Sequence, residues 1–432
     1  MRPSVSVVVV NRGREWSLSL TLQALKRQRG ITAEIIVVSD APAPRDLSVT
    51  WLRHADANIS SARNAGLVAS KGEIIAFCDD DAIPEPDWLL QLSAAFDAPV
   101  IGAVGGPVLG GNGVRVQWGE TRFDRAGRDS PDGPYVKLHG TNMALRRTAI
   151  AAIGGFDTRF AYYLDETDML LRLVQAGWRN KWTVGALVHH AAHSNAVRGA
   201  GSTIDGFRQL GRSVAAFTLS HADEGEAALA AQHLQQVQWH RLRKMHDIGF
   251  LSGTGFARRL EAVEHGLQTP APRATQVSIP TAHATPPSPP ADRPRIALAP
   301  RMIDRRTAKS VARDLNQKGF DVTLITQTWL NRPMRVRWCH DGYFHHRGGL
   351  FRDGNHVPKW NRAVMWELIR TDAHRRYTHL ILGKRRGGGE IFDLGQKPID
   401  QSSINRNNKL ETVARFDANL IFDALQHQVA RC

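Results

Sequence analysis

The first 110 residues alternate between two hydrophobic periods, and that alternation leaves few folds open to the chain. Val5–Val10 is a β-branched run of the kind that fills a strand buried on both faces. Trp16–Gln28 carries leucines at 18, 22 and 25, spacings of four and three, and predicts an amphipathic helix. Glu34–Ser39 predicts a second strand and Val49–Arg53 a short third. Ser60–Ser70 predicts a helix stopped by Lys71–Gly72, Ile74–Cys78 a fourth strand, and Asp87–Phe96 a further helix. Strand, helix and strand in this order imply an α/β fold whose mixed, mainly parallel sheet is flanked by helices.

Beyond residue 110 the pattern loosens, with glycines crowding 102–113 and 127–140. Thr148–Ile153, Asp165–Gly177 and Lys181–His189 then predict helix, helix and strand. Residues 201–268 predict a helical extension. Residues 269–294 hold eight prolines and predict an extended, flexible linker. A second, Rossmann-like α/β unit follows: strand Ile296–Ala299, helix Thr307–Lys318 closed by Gly319, strand Asp321–Thr326, helix Trp360–Ala373 and strand Thr378–Leu382. The expected organisation is a first domain over 1–200, the helical extension, the linker, and a basic, incomplete α/β module over 295–432.

Composition narrows the class. The chain has 432 residues, 42% of them hydrophobic, a globular level. Cys78, Cys339 and Cys432 lie far apart and form neither a CxxC pair nor a disulfide framework, which fits a reducing cytosol. No apolar run reaches the ~18–20 residues that a spanning helix needs. The expected location is therefore cytoplasmic, with peripheral contact at the inner face of a membrane. The net charge is +15, and residues 291–432 carry 26 basic and 14 acidic side chains, most of that surplus. Such a field favours anionic partners such as lipid head groups or acidic glycans. No helix-turn-helix, zinc-finger or RNA-recognition signature accompanies it, so specific nucleic-acid binding is not expected.

Asp79–Asp80–Asp81 is the sharpest chemical feature. It follows strand Ile74–Cys78, and in parallel α/β sheets ligands bind at the carboxyl ends of the strands. Three adjacent carboxylates repel one another unless a cation neutralises them, and Mg²⁺ or Mn²⁺ typically shares such ligands with phosphate oxygens. Asp165–Glu166–Thr167–Asp168 opens a helix, where acidic residues also serve as ordinary dipole-compensating groups. His189, His190 and His193 cluster after the strand that ends near Val188, where one of them could ligate a metal.

Taken in order, these segments resemble the family 2 glycosyltransferases of GT-A fold. SVSVVVVNR is similar to that family's opening strand, and EIIVVSDAPAPRD to its second. SSARNAGLVASKGEIIAFCDDDAIPEPDWL is close to its most recognisable stretch, and GTNMALRR, GGFDTRF and LDETDMLLRLVQAGW match the acceptor-side half. The likeness covers about residues 4–195. It implies donor-binding roles for Asn11, Arg12, Asp40, Arg63, Asp79, Asp80, Gly140 and Asn142. Ser39 stands where the family usually has the first aspartate of its base-binding pair, and Ala41–Pro42 replace the usual Gly-Ser. Metal binding is implied for Asp79, Asp81 and His189, with Asp79 on the ribose or the metal. The catalytic base would be Glu166, with Asp165 as its rival.

The implied reaction moves a sugar from a nucleotide-diphosphate donor to a hydroxyl of a glycan, lipid-linked or glycoconjugate acceptor, with inversion. A carboxylate within hydrogen-bond reach removes the acceptor proton as the new bond forms. Trp178 and Trp182 could stack on a sugar or sit in the core. Gln235–Arg241 reads QQVQWHR and lacks the Gln-x-x-Arg-Trp of processive synthases, so single addition is expected. The alternative is a non-catalytic basic adaptor that only binds glycan or nucleotide. Gly387–Gly389, after three basic residues, could cradle a phosphate or form a basic tip.

Overall fold

The computed structural model describes residues 3–44, 49–110, 116–191, 203–270, 272, 276–280, 293–300, 305–327 and 335–348, with four further short stretches at 351–352, 355–356, 379–383 and 389–393, and 409–413 beyond them. The β-branched opening becomes β1 (Val5–Asn11), followed by α1 (Glu15–Leu25), β2 (Glu34–Ser39), β3 (Thr50–Arg53), α2 (Ile59–Ala69), β4 (Ile74–Asp79), β5 (Ala82–Pro84) and α3 (Trp88–Ala94). Then come β6 (Ile101–Gly105), β7 (Val108–Leu109), β8 (Val116–Trp118), β9 (Thr121–Phe123), β10 (Tyr135–Lys137), β11 (Met143–Arg146), α4 (Arg147–Ala152), α5 (Asp165–Gln175), β12 (Arg179–Trp182) and β13 (Val188–His190).

Seven of these strands form one sheet in the order β12-β6-β11-β4-β1-β2-β3, and only β11 runs against its neighbours. This is the mixed, mainly parallel sheet that the sequence predicts. The period of two along β1 explains its two apolar faces. Val8 joins Ile36, Ile75 and Phe77 in a core shared with α2, α4 and α5. Val7 and Val9 join Val37 and Ala76 in a second core with α1 and α3. Gly66 lets α2 lie directly on β1, since a Cβ there would overlap the Val8 side chain. Trp178 and Trp182, both partly buried, pack against the first core.

The predicted strand Lys181–His189 breaks in two. Its first half is β12 in the large sheet. Its second half is β13 in a smaller sheet of order β5-β13-β7-β8. The intervening turn is bound at both ends, because Gly106 passes so close to the Thr183 and Ala186 carbonyls that no Cβ fits between them. This small sheet lies at the carboxyl end of β4 and positions the site.

Three helices follow: α6 (Ile204–His221), α7 (Glu224–Asp247) and α8 (Gly253–Gln268). Asp223 and Glu226 form a reciprocal capping box at the start of α7. Within the proline-rich stretch, 276–280 is not a free linker. Val277 donates to the Gly154 carbonyl at 3.0 Å, Ile279 is buried in the first core, and Arg147 donates to the Pro280 carbonyl at 2.9 Å. Alternate apolar side chains at 277 and 279 account for the docking.

The second α/β unit is built from β14 (Arg295–Ala299), α9 (Arg305–Gln317), β15 (Asp321–Gln327), β16 (Arg335–Trp338) and β17 (Phe344–Gly348). It continues with β18 (Phe351–Arg352), β19 (Asn355–His356), β20 (His379–Gly383), β21 (Gly389–Asp393) and β22 (Lys409–Val413). Its main sheet runs β16-β17-β15-β14-β20-β21-β22, with β14 parallel to both β15 and β20. The predicted helix Trp360–Ala373, the basic run 384–386, Gly387, His193 and Cys432 lie outside the described residues. Among the described residues no helix is long and apolar enough to cross a membrane.

Candidate active site

β4 ends at Asp79, and the turn that follows it carries Asp80 and Asp81 at the sheet edge. Asp79 and Asp81 turn to one side, where they meet His190. One ligand atom from each of these three residues lies within 4.8 Å of the others. His190 Nε2 stands 3.2 Å from Asp81 and 3.8 Å from Asp79. Two carboxylate oxygens and an imidazole nitrogen are the donor set of a divalent transition ion. The Gln117 carboxamide oxygen lies 3.2 Å from His190 Nδ1. An N–H at Nδ1 leaves the Nε2 lone pair facing the carboxylates.

His189, the residue put forward from the sequence, is not in this group. Neighbouring residues on a strand face opposite ways, and His189 turns from the carboxylates to Glu85, with Nε2 and Oε1 2.5 Å apart.

Asp80 also corrects its expected role. It is fully buried on the far side, where Asn11 donates to it at 2.8 Å and Arg14 pairs with it at 2.5 Å. Burial pushes its carboxyl up to about 7, against the pull of Arg14. Arg14 also reaches Asp81 at 3.0 Å, so one guanidinium neutralises part of the aspartate cluster. Asn11 is used up within the protein, accepting from Ser39 at 3.0 Å while donating to Asp80. It ties β1 and β2 to the turn that follows β4. Arg12 and Asp40 remain at the open rim, 3.8 Å apart.

The opposite lip is Asp165–Glu166 at the start of α5. The backbone enters the helix through Tyr163 and Leu164 at φ 69° and 59°, left-handed conformations that are costly for side chains of this size. Asp165 is buried, and Glu166 is half-buried and lines the cleft. Arg63 pairs with Asp165 and lies over the rings of Phe77 and Phe156 at 5.8 and 5.5 Å. Arg63 thus serves the carboxylate pair, where the sequence had put it against the nucleotide. Gly140 is the residue that admits it, since a Cβ there would run into the guanidinium.

The two carboxyls are set apart electrostatically. Burial raises Asp165 well above the usual carboxylate range, the charge of Glu166 adds to this, and Arg63 opposes it. Burial would raise Glu166 too, but the charge of Arg63 and the Asp165 hydrogen bond hold it below its ordinary value. Asp165 is therefore the weaker acid of the pair and Glu166 the stronger. Asp168, one turn on, is occupied elsewhere by Arg172 and His221, each at 2.8 Å.

Both lips open on one cleft of about 1060 Å³, counting the solvent at its mouth. Asp79, Trp118, His139, Gly140, Tyr162 and Glu166 are among its walls. Trp118 stacks on His139 at 4.9 Å and tilts against His190 at 5.3 Å. Asn142 does not line it. Its side chain receives Trp88 at 2.7 Å and donates to the Pro107 and Ala186 carbonyls at 3.0 and 2.8 Å, fastening the small sheet to the large one.

Residues 4–154 match the family model for Glycosyl transferase family 2. This part of the chain is a family 2 glycosyltransferase domain. The match contains β1, the aspartate strand and the Gly140 turn. The α5 carboxylates and His190 follow it in sequence and complete the cleft.

Among curated proteins, the transferase domain is similar to the pre-mycofactocin glycosyltransferase of Mycobacterium tuberculosis. The two are 28% identical over 204 residues, 43% of this chain and 42% of that protein. It is also similar to the N-acetylglucosaminyl-diphospho-decaprenol L-rhamnosyltransferase of the same organism. There the identity is 32% over 113 residues, 26% of this chain and 36% of that one. The chain spans less than half the length of these relatives. A solved mannosyltransferase from Pyrobaculum calidifontis, in complex with GDP-Man and Mn²⁺, overlaps 62% of this chain and 88% of its own. Its TM-score is 0.40 and its identity 16%.

Arg14, Gln117, Trp118, His139 and His190 complete the transferase site beyond the residues the sequence singled out for roles. Only His190 had a local signal, in the histidine cluster. The others reach the site through contacts between distant segments.

Proposed function

We propose that the chain is a glycosyltransferase that moves one sugar per turnover from a nucleotide-diphosphate donor to a hydroxyl acceptor, with inversion. One observation carries the proposal: Asp79, a member of a carboxylate–histidine group suited to a divalent ion, and Glu166 line one cleft. The cation is Mn²⁺ or Mg²⁺, held by Asp79, Asp81 and His190. When bound, it supplies Lewis-acid stabilisation of the departing diphosphate.

Glu166 accepts the proton of the attacking hydroxyl. Asp165, the weaker acid of the two and hydrogen-bonded to it, fixes its orientation, and Arg63 favours its ionised form. Attack from the lip opposite the diphosphate needs no second nucleophilic carboxylate, which gives inversion. The rim pair Arg12 and Asp40 lies at the carboxyl ends of β1 and β2, where a nucleotide would enter. The acceptor is a glycan, lipid-linked glycan or glycoconjugate. The positive surface is suited to peripheral contact with an anionic membrane on the cytoplasmic side.

The test is a panel of UDP-, GDP- and dTDP-sugars with Mn²⁺ and mixed glycan acceptors, read by NMR of the product anomer. A single donor class giving an inverted product supports the reading. Retention of configuration, or no nucleotide binding to any donor class by calorimetry, overturns it.

A further inference from the structure

β13 separates two environments. On one face His190 meets Asp79 and Asp81. On the other, His189 pairs with Glu85, and its ring lies 5.4 Å from Phe344 of β17 in the second α/β unit. Phe344 in turn stands edge-on to Trp338 at 4.7 Å. Arg27 of α1's trailing turn lies over Trp338 at 5.6 Å and donates to the Gly342 carbonyl. Arg295, at the start of β14, pairs with Asp87 just before α3, both with side chains under a tenth exposed. Asp321 is buried nearby and attracted by Arg295, Arg293, Arg29 and Arg27. Arginines and aspartates thus cross the junction in both directions. Glu85, Arg27, Trp338 and Phe344 together wall a narrow pocket there.

We infer that the second α/β unit is a clamp for the metal-binding strand: Phe344 and Trp338 seal the His189–Glu85 pair, and that pair holds β13 so that His190 stays aimed at Asp79 and Asp81. His189, Glu85 and Phe344 are positioning residues, with no contact to reacting atoms.

A hydrogen bond between an imidazole and a carboxylate gains strength when water is excluded, and here Glu85 and His189 are 3% and 9% exposed. β13 is only three residues long and pairs with β5 and β7 through short ladders. Beside these ladders and the buried Val188, the His189 side chain is a further anchor on so short a strand. The backbone passes the constraint across one peptide: fixing His189 on one face fixes His190 on the other. The clamp also gives the second unit a role in the transferase site without any catalytic group of its own.

The inference rests on the proposed metal site, and its test keeps the two apart. Mn²⁺ affinity is measured by electron paramagnetic resonance on the full chain with UDP, GDP or dTDP present, for the wild type, Asp81→Ala, Phe344→Ala and Phe344→Tyr. Hydrogen exchange at residues 188–190 is followed in the same samples. The clamp predicts about a tenfold or greater loss of Mn²⁺ affinity in Phe344→Ala, the range seen when groups behind a metal ligand are removed. It also predicts faster exchange in β13, and recovery of both in Phe344→Tyr. Should Phe344→Ala unfold, Phe344→Leu must show the same two changes to a smaller degree. Mn²⁺ affinity and exchange in Phe344→Ala within twofold of the wild type overturn the clamp alone, provided Asp81→Ala has lost Mn²⁺. A wild type with no Mn²⁺ binding that Asp81→Ala abolishes overturns the metal site, and the clamp with it.

Discussion

Arg63 on α2 and Asp165 at the head of α5, 102 residues apart in sequence, form a buried ion pair beneath Gly140. Removing one partner of such a pair costs about 3–5 kcal/mol, because the other charge stays buried. Arg63→Gln is therefore expected to lower the unfolding free energy by that order, read from denaturant melts. Arg63→Lys keeps the charge but loses the planar contact with Phe77 and Phe156, and should fall between. An Arg63→Gln variant as stable as the wild type would contradict the pairing.

The two α5 carboxyls make an asymmetric prediction. Positioned bases contribute roughly 10²–10⁴-fold to rate. Glu166→Gln should lose that much in kcat while binding donor and metal as the wild type does. Asp165→Asn retains a hydrogen-bond donor toward Glu166 and is expected to lose much less. The reverse order, with Asp165→Asn the more damaged, would make Asp165 the base.

His139 provides a pH test. Burial lowers its imidazole from 6.5 to about 4. The folded state therefore binds that proton more weakly than the unfolded state. The stability this group contributes is complete above pH 6.5 and is lost as the pH falls through 4. The displacement is worth up to about 3 kcal/mol. His139→Phe keeps a ring against Trp118 and removes the titration. Its unfolding free energy should fall less steeply than the wild type's between pH 6.5 and 4. Parallel curves for the two proteins would show that His139 is not buried as a neutral ring.

His190 and His189 are adjacent but are expected to fail differently. His190→Ala removes a ligand atom and should weaken Mn²⁺ binding by roughly a hundredfold or more, with little effect on nucleoside binding measured without metal. Isothermal titration with Mn²⁺ separates the cases. Full Mn²⁺ affinity in His190→Ala would remove it from the metal site.

The first half of the fold was legible because β1, β2 and β4 are rich in β-branched residues and α1 repeats at three and four, whereas β6 (IGAVG) and β11 (MALR) carry no such run and were not expected. The aspartates were legible as a group, since three carboxylates at a strand end need neutralisation. Their division was not read out, because Asp80 and Asp81 lie in the turn after β4, where no strand period sets the direction of a side chain. The period of two along β13 separates His189 from His190, and a one-residue error there exchanges the two faces of β13. Asn11 and Asn142 were assigned to ligand binding, but their hydrogen bonds go to partners 28 to 69 and 35 to 54 residues away. No local pattern encodes such partners. Arg14 was missed for the same reason, its partners lying 66 and 67 residues on. The docked segment 276–280 did carry a signal, Val277 and Ile279 alternating with polar residues, but the surrounding prolines masked it.

The account's central claim is that the aspartate–histidine lip holds the donor and the α5 lip performs the proton transfer. Single-turnover release of nucleoside diphosphate, measured beside donor affinity on the same samples, tests it most directly. Asp81→Ala should lose metal-dependent donor binding, and chelation of the wild type should reproduce that loss. With acceptor present, Glu166→Gln should bind the donor normally and release nucleoside diphosphate roughly 10²–10⁴-fold more slowly. Wild-type release rates in Glu166→Gln, or donor turnover that survives both Asp81→Ala and chelation, would contradict the assignment of the two lips.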